Sequence, residues 1–574
     1  MTTPPRVIVA QRGPELRCKG WRQETLLRML ENTMENGERP ADLIIYGGKA
    51  QCARNWDSFY ALVEALRDLE DTETLAVQSG MPVAVFRTHR LAPRVVMANT
   101  NVIAPTWPVF RDLQDRNLTS FASYTAGPWE YIGSQGVVQG TFETLGAVGR
   151  RHFGDSLAGR VFLTAGLGGM GRSQPLAMSM HGGVSLTIEV RQEHIDRALS
   201  SGLCDVAASS LADALGKVER ARSSRTALSV AVRGNAAEMF TELASRNWKP
   251  DIVTEMCPCH DPYEVVPTGV APGQARELAA ARPEEYLGRS RDTMLRILRA
   301  MNSLRAAGAI AFEYGTFIRK ECMDAGLPPD EALALPGCIA AYVREMFLVG
   351  RGPFRWTCVS GALEDRARLD QLALDLFADD AVVQRWIPLA AERLPLEGLP
   401  ARVCFLGYGQ RRKFALAAND LVAAGELRAP VAFSRDNLDC GSITNPVFET
   451  EAMADGSDRV SDWPYLNALL NAAAMADLVA IQANGSMGMS AHTGATMIAD
   501  GTEEASLRLE AALTTDVGIG IIRHAQAGYP MARAVAAGEG PLTDESIKVP
   551  LWWSQTSSRG APEDLGRPAL AAGT

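Results

Sequence analysis

The chain has 574 residues, of which 47% are apolar and 22% charged, and a formal net charge of -10. That length exceeds what one hydrophobic core serves, so two or three domains are expected. An acidic balance without Lys/Arg-rich runs excludes the footprint of a nucleic-acid or anionic-membrane binder and leaves small-molecule chemistry as the expectation.

No apolar run approaches the roughly 18 residues needed to span a bilayer, and the opening MTTPPRVIVAQRG has no signal-peptide pattern. The ten cysteines are too dispersed for a disulfide scaffold and read as reduced thiols of a cytoplasmic protein. The first element is a helix, WRQETLLRMLENTMEN, with apolar positions at helical spacing. DLIIY, ending at Tyr46, reads as a short strand that breaks at Gly47 and Gly48. A second helix, WDSFYALVEALRDL, precedes the strand-like runs TLAVQSG and PVAVFRT and a loop-rich segment, NTNVIAPTW.

From residue 136 a helix leads into the strand VFLTA, a glycine turn and the helix SQPLAMSM; then come the strands VSLTIEV and ALSVAVRGN. Such alternation indicates α/β architecture. It divides the chain into a core made from both ends, 1–135 and 349–553, with an inserted Rossmann-like dinucleotide-binding domain at 136–348. Residues 554–574, small, polar and rich in Pro and Gly, are expected to be disordered.

The turn itself, Gly166-Leu167-Gly168-Gly169-Met170-Gly171, carries the clearest chemistry. Glycines there permit positive φ and let a pyrophosphate reach bare N–H groups at a helix N-terminus. About twenty residues on, Glu189 ends the next strand, where a carboxylate accepts ribose hydroxyls and disfavours the extra phosphate of NADP. NAD is therefore the expected cofactor. A Cys257-Pro258-Cys259-His260 run lacks a second ligand pair at usable spacing, so no metal site is expected.

Several dispersed phrases resemble the urocanase (urocanate hydratase) family: CKGWRQETLLRML, YGG with ARNW from Tyr46 to Trp56, TAGPWEYIGSQGVVQGTFET from Thr125, GPFRW from Gly352, GLPARVC ending at Cys404, and ETEAMADGSDRVSDWPYLNALLN from Glu449. The resemblance covers nearly the whole chain apart from the tail. It implies a homodimeric hydro-lyase with tightly held NAD+, whose nicotinamide serves as an electrophile rather than a hydride acceptor while water is added to urocanate.

The resemblance also implies site residues. Arg355, in GPFRW, would hold the substrate carboxylate through its planar fork, with Tyr46 and Thr125 beside it. Tyr46 could relay a proton, Asp439 could manage the ring N–H proton, and Cys404 matches a signature cysteine near the nicotinamide. Cofactor contacts would come from Gly47, Gly48, Gly168, Gly169, Met170 and Gly171. Further along the chain they would come from Glu189, Asn235, Ala236, His260, Tyr314 and Gly485.

Departures from the family pattern concentrate in the ring-facing and cofactor loops. Where the family has His-His-Gly-Gly-Gly-Val-Gly, this chain has Gln482-Ala483-Asn484-Gly485-Ser486-Met487-Gly488; Asn437 stands for a histidine, Ala50-Gln51-Cys52 for Gly-Lys-Ala, Thr316-Phe317 for Asn-Asn, and His194 for an arginine. Retained Arg355, Tyr46, Thr125 and Asp439 beside a softer, less basic pocket point to the same acrylate on a different ring. The expected substrate is a 2-thio- or S-methylthio-urocanate, as formed in ergothioneine breakdown. Ordinary urocanate hydration, an NAD-dependent dehydrogenase and a non-catalytic NAD-binding relative are the competing readings.

Overall fold

The computed structural model describes residues 7–103, 105–120, 122–257, 260–445, 452–483 and 490–550. Gly485 and the tail 554–574 lie outside the described residues. The N-terminal part supplies strands β1 (Glu73–Gln78), β2 (Met81–Arg87) and β3 (Val95–Asn99). The middle supplies β4 (Val161–Ala165), β5 (Val184–Glu189), β6 (Val206–Ala208), β7 (Leu228–Arg233), β8 (Ile252–Val253) and β9 (Ile310–Ala311). The C-terminal part supplies β10 (Gly352–Cys358), β11 (Ala401–Leu406), β12 (Val431–Arg435), β13 (Ile443–Thr444), β14 (Leu478–Gln482) and β15 (Ala491–Ala499).

These strands form two sheets, and the division explains the domain order. The middle strands make a sheet ordered β6-β7-β5-β4-β8-β9, parallel throughout, while both chain ends share a mixed sheet ordered β11-β10-β12-β15-β14-β3-β1-β2 with β13 against β15. The ends are joined where β3 pairs in parallel with β14, Val95 opposite Leu478 through Asn99 opposite Gln482. The fold is thus an α/β core from both ends with a Rossmann-like insertion. In the insertion, β5 and β8 flank β4 on opposite sides, so the strand order reverses at β4, and such sheets open a ligand crevice at the carboxyl end of that switch point.

The central strands of the inserted sheet, β4 and β5, are buried along their whole length, as expected for parallel strands covered on both sides. Helix Gln135–His152 joins insertion and core: Val138, Phe142 and Leu145 pack in one cluster with Phe354, Val403 and Trp386. Among the described residues, no helix is long and apolar enough to cross a membrane.

One expected element is absent. DLIIY does not form a strand: Pro40–Asp42 is a 3-10 turn, Leu43 is left-handed at φ 58, and Ile44 makes only isolated bridges to Arg39 and Gln51. The segment folds back on itself, so its apolar side chains serve the core from a loop. Leu43, Ile45 and Tyr46 are all buried there.

Candidate functional site

At the carboxyl end of β4 the chain turns through Gly166, at φ +91, into the helix Ser173–Met180. A crevice with about 840 Å³ of empty space opens beside this turn, bounded by Gly168, Gly169, Glu189, Asn235, Ala236 and the Gly47-Gly48 pair. Glu189 is buried, and its oxygens accept the N–H groups of Leu167 at 2.6 Å and Arg191 at 2.8 Å, with His194 Nδ1 at 3.3 Å. Its pKa lies below the usual value: burial alone would raise it, and His194 and the two backbone donors outweigh that. Asn235 caps helix Ala236–Ser245 by accepting the Ala237 N–H at 3.0 Å, which brings a second helix N-terminus to the same crevice. The crevice has the features a dinucleotide needs: bare glycine backbone, helix N-termini, and an ionised carboxylate on the second strand.

A second cavity, with about 910 Å³ of empty space, lies against the first. The partition is thin. Tyr46 and Met170 face the second cavity while their chain neighbours Gly47 and Gly169 face the first. A Cβ on Gly169 would stand 3.0 Å from Tyr46 Cβ, so the two segments touch where side chains are absent. Helix Gln135–His152 contributes Gly136, Gly140 and Thr144, spaced one turn apart along one face. Opposite, Ile339–Val343 forms a π-helical turn whose end residues, with Cys338 and Phe347, make the wall apolar. Such wide turns occur frequently at functional sites.

Arg355 is the charged anchor of this cavity. It is buried on β10; Nη2 pairs with Asp436 at 2.6 Å, Nη1 donates to the Glu130 carbonyl at 2.9 Å, and Nε has no partner among the described residues. A Cβ at Gly136 would lie 2.9 Å from Nη2, so glycine there makes room for the guanidinium. Burial raises the Glu130 carboxyl well above the ordinary range, despite nearby Arg435 and Arg355.

Tyr46 and Thr125 both line this cavity and are bonded to each other. The Tyr46 hydroxyl donates to the Ser123 carbonyl at 2.9 Å and accepts from the Thr125 N–H at 2.9 Å, and its ring stacks on Tyr131 with centroids 4.8 Å apart. Burial, then Asp436, pushes its pKa above the usual phenol value, so it stays protonated.

Other expected residues take different places. Asp439 is turned from the cavity into an ion pair with Arg411, at 2.5 and 3.1 Å, and accepts the Cys440 N–H. The acid on the cavity wall is Asp436, three residues earlier in the same phrase. Cys404 is fully buried on β11, opposite Phe354, and its neighbour Phe405 lines the cavity, as alternation along a strand requires. Tyr314 and Met170, expected at the cofactor, line the second cavity. Gly171 lies under the turn, where an added Cβ would meet the Gly166 carbonyl oxygen at 2.2 Å.

His260 packs its ring 5.7 Å from Tyr124 and 4.7 Å from Phe317, and burial lowers its pKa to about 3, so it is neutral. Among the described residues, no group of three His, Cys, Asp or Glu side chains is placed to hold a metal ion.

A buried acid, Glu255, precedes Met256 and Cys257 of the crevice lining in the chain. Glu255 bonds the Thr316 hydroxyl and the Cys257 N–H, yet burial raises its pKa to about 7 from 4.5. The folded chain therefore keeps this proton to higher pH than the unfolded chain, and stability contributed by Glu255 falls as pH rises from 4.5 through about 7. Glu255→Gln is expected to flatten that slope, measured by urea unfolding at steps between pH 4.5 and 8.

Family comparison agrees with this layout. The urocanase N-terminal domain matches residues 8–130, the urocanase Rossmann-like domain 133–342 and the urocanase C-terminal domain 345–538. The chain belongs to the urocanase family. Membership supports a urocanate hydratase-type activity on a small, urocanate-like molecule, and the Rossmann-like domain is consistent with NAD binding.

Asp436 and Tyr124 were missed in the sequence. The signal for Asp436 was its place just past Arg435, which is in register with Phe354 next to Arg355. Tyr124 carried no signal, because its role depends on residues more than 300 positions away.

Proposed function

We propose that the protein is a cytoplasmic, homodimeric hydratase that adds water to a sulfur-bearing urocanate, a 2-thio- or S-methylthio-imidazole acrylate, with NAD+ as resident cofactor. The observation that carries this reading is Arg355, a buried guanidinium with an unmet Nε–H, in a largely apolar cavity that adjoins the glycine-turn crevice. A planar carboxylate supplies what that fork lacks. Glycines 168 and 169, Glu189, Asn235 and the Gly47-Gly48 pair would hold the dinucleotide. When bound, its nicotinamide supplies electron withdrawal toward the substrate ring.

The protein's own groups supply the rest. Arg355 fixes the carboxylate end, and Asp436, whose Oδ2 takes Arg355, is the wall carboxylate available to move a proton. Tyr46 stays protonated and locks the 123–125 turn through Ser123 and Thr125. Ile339, Val343, Phe347 and Leu438 exclude bulk water and strengthen these contacts. The sulfur preference rests on Cys338 in the wall and on amides, Asn437 and Gln482, at positions where the family carries histidines.

The test is incubation of the purified protein, with no redox partner, with urocanate, 2-thiourocanate and S-methylthiourocanate, followed by mass spectrometry. Gain of one water on a sulfur analogue is expected, without NADH absorbance. Efficient hydration of plain urocanate alone would leave an ordinary urocanate hydratase, and NADH formation would mark a dehydrogenase.

A further inference from the structure

Among the side chains lining the second cavity, two polar atoms are buried without a hydrogen-bond partner among the described residues: Arg355 Nε and the Tyr124 hydroxyl. The first is accounted for by a carboxylate. The second is a neutral donor on a residue of the same wall, and burying a phenol without a partner is unfavourable. Its upkeep is costly in a second way: Tyr124 sits at φ 31, ψ -93 inside the short turn Ser123–Ala126, beside Ser123 at φ 25. Non-glycine residues held this way persist only where the surroundings over-determine them, and they cluster at ligand clamps.

The surroundings do over-determine it. The Tyr124 carbonyl accepts two side-chain amides, Asn437 Nδ2 and, at 2.5 Å, Gln482 Nε2. Gln482 is oriented in turn by Asn99 Nδ2 on its Oε1 at 3.4 Å. The phenol ring stacks on His492 at 5.1 Å and meets the His260 edge at 5.7 Å. On the far side of the turn, Tyr46 grips Ser123 and Thr125. Four side chains thus converge on one strained tyrosine, and a fifth, Tyr46, grips the residues on either side of it, while its hydroxyl has no partner in the described protein.

We propose that Tyr124 is a substrate-contacting, specificity-determining residue. Its hydroxyl donates to an acceptor on the heterocycle, a ring nitrogen or the sulfur, while Arg355 takes the carboxylate. Asn437 and Gln482 are positioning residues that hold Tyr124 in its strained conformation. The cavity therefore recognises a two-ended molecule, anionic at one end and a neutral acceptor at the other. This rests on the reading of the cavity as the site of an imidazole acrylate.

The test compares wild type, Tyr124→Phe, Asn437→Ala and the double variant on urocanate, 2-thiourocanate and S-methylthiourocanate, with kcat and KM resolved. Tyr124→Phe keeps the ring stack and removes only a hydroxyl without a partner, so Tm should be equal to or above that of wild type and bound dinucleotide unchanged. Its kcat/KM on the preferred substrate should fall about five- to tenfold, mainly through KM, as loss of one hydrogen bond implies. Asn437→Ala should lower kcat/KM in the same direction, and the double variant should lose less than the product of the single losses, because both act through one hydroxyl. An active wild type whose Tyr124→Phe variant keeps full kcat/KM on all three substrates would overturn the role of Tyr124 alone. A wild type inert on all three would overturn the cavity assignment, and this role with it. If Tyr124→Phe does not fold, Asn437→Ala with intact Tm and unchanged kcat/KM would also overturn the proposal.

Discussion

Arg355→Ala is expected to lower kcat/KM for the acrylate by about 10²–10³-fold, the cost of removing one partner from a buried charge-assisted pair. The guanidinium is buried and holds Asp436 at 2.6 Å and the Glu130 carbonyl at 2.9 Å, so truncation strands a carboxylate as well as the substrate's anionic end. Arg355→Lys separates the two contributions. It restores the charge but not the planar fork, so it should recover stability more fully than catalysis. Steady-state kinetics on all three acrylates, set beside Tm, reads this directly. Equal losses in both variants would mean that geometry matters and charge does not; a full rescue by lysine would mean the reverse.

The glycine turn gives the second large effect. In Gly171→Ala the new methyl would stand 2.2 Å from the Gly166 carbonyl oxygen and 2.8 Å from its carbon, and neither atom can move without opening the turn. Loss of several kcal/mol of stability and of the bound dinucleotide together is expected. Gly168→Ala is the contrasting case, because the nearest atoms to its added Cβ are side-chain atoms of Glu38 and His194 at 3.9 Å. That variant should fold with near-native Tm when stripped of cofactor, yet retain less dinucleotide, because the methyl occupies the approach to the backbone. Acid release of the nucleotide with quantitation by absorbance, and thermal unfolding of stripped protein, measure the two effects separately. Retention of a full complement of cofactor by Gly168→Ala would show that the phosphates do not approach that glycine.

What was legible in the sequence was what depends on short-range pattern. VFLTA, the glycines and Glu189 lie within one crossover, and the structure places them around one crevice. DLIIY misled because apolar content was read as a strand, whereas Leu43 is left-handed and the segment closes on itself. In SRDNLD the residues alternate in direction, so that Asp436 and Leu438 face the cavity and Asp439 turns to Arg411. A one-dimensional phrase cannot show which of two acids points inward. Arg355 was found through family likeness alone, since an isolated arginine in a strand has no local signature. The clamp on Tyr124 was out of reach for a different reason: its parts, among them Asn437, Gln482, His492 and His260, come from segments far apart in the chain that meet only in the folded protein.

The pairing of β3 with β14 sets the order in which the chain can mature during synthesis. When β1–β3 leave the ribosome, the strand that flanks them is still more than 370 residues from being made, because Val95 is opposite Leu478. The parallel sheet of the insertion, by contrast, is complete once Ala311 has emerged, with every ladder closed between strands of its own segment. Domains fold as units as they emerge. The Rossmann-like insertion therefore finishes its sheet first and stands as a preformed block, against which the two ends of the polypeptide are later zipped together. The newborn β3 edge must stay out of wrong partnerships throughout that interval, so slow translation or a truncation before residue 478 would leave an open strand edge prone to intermolecular pairing.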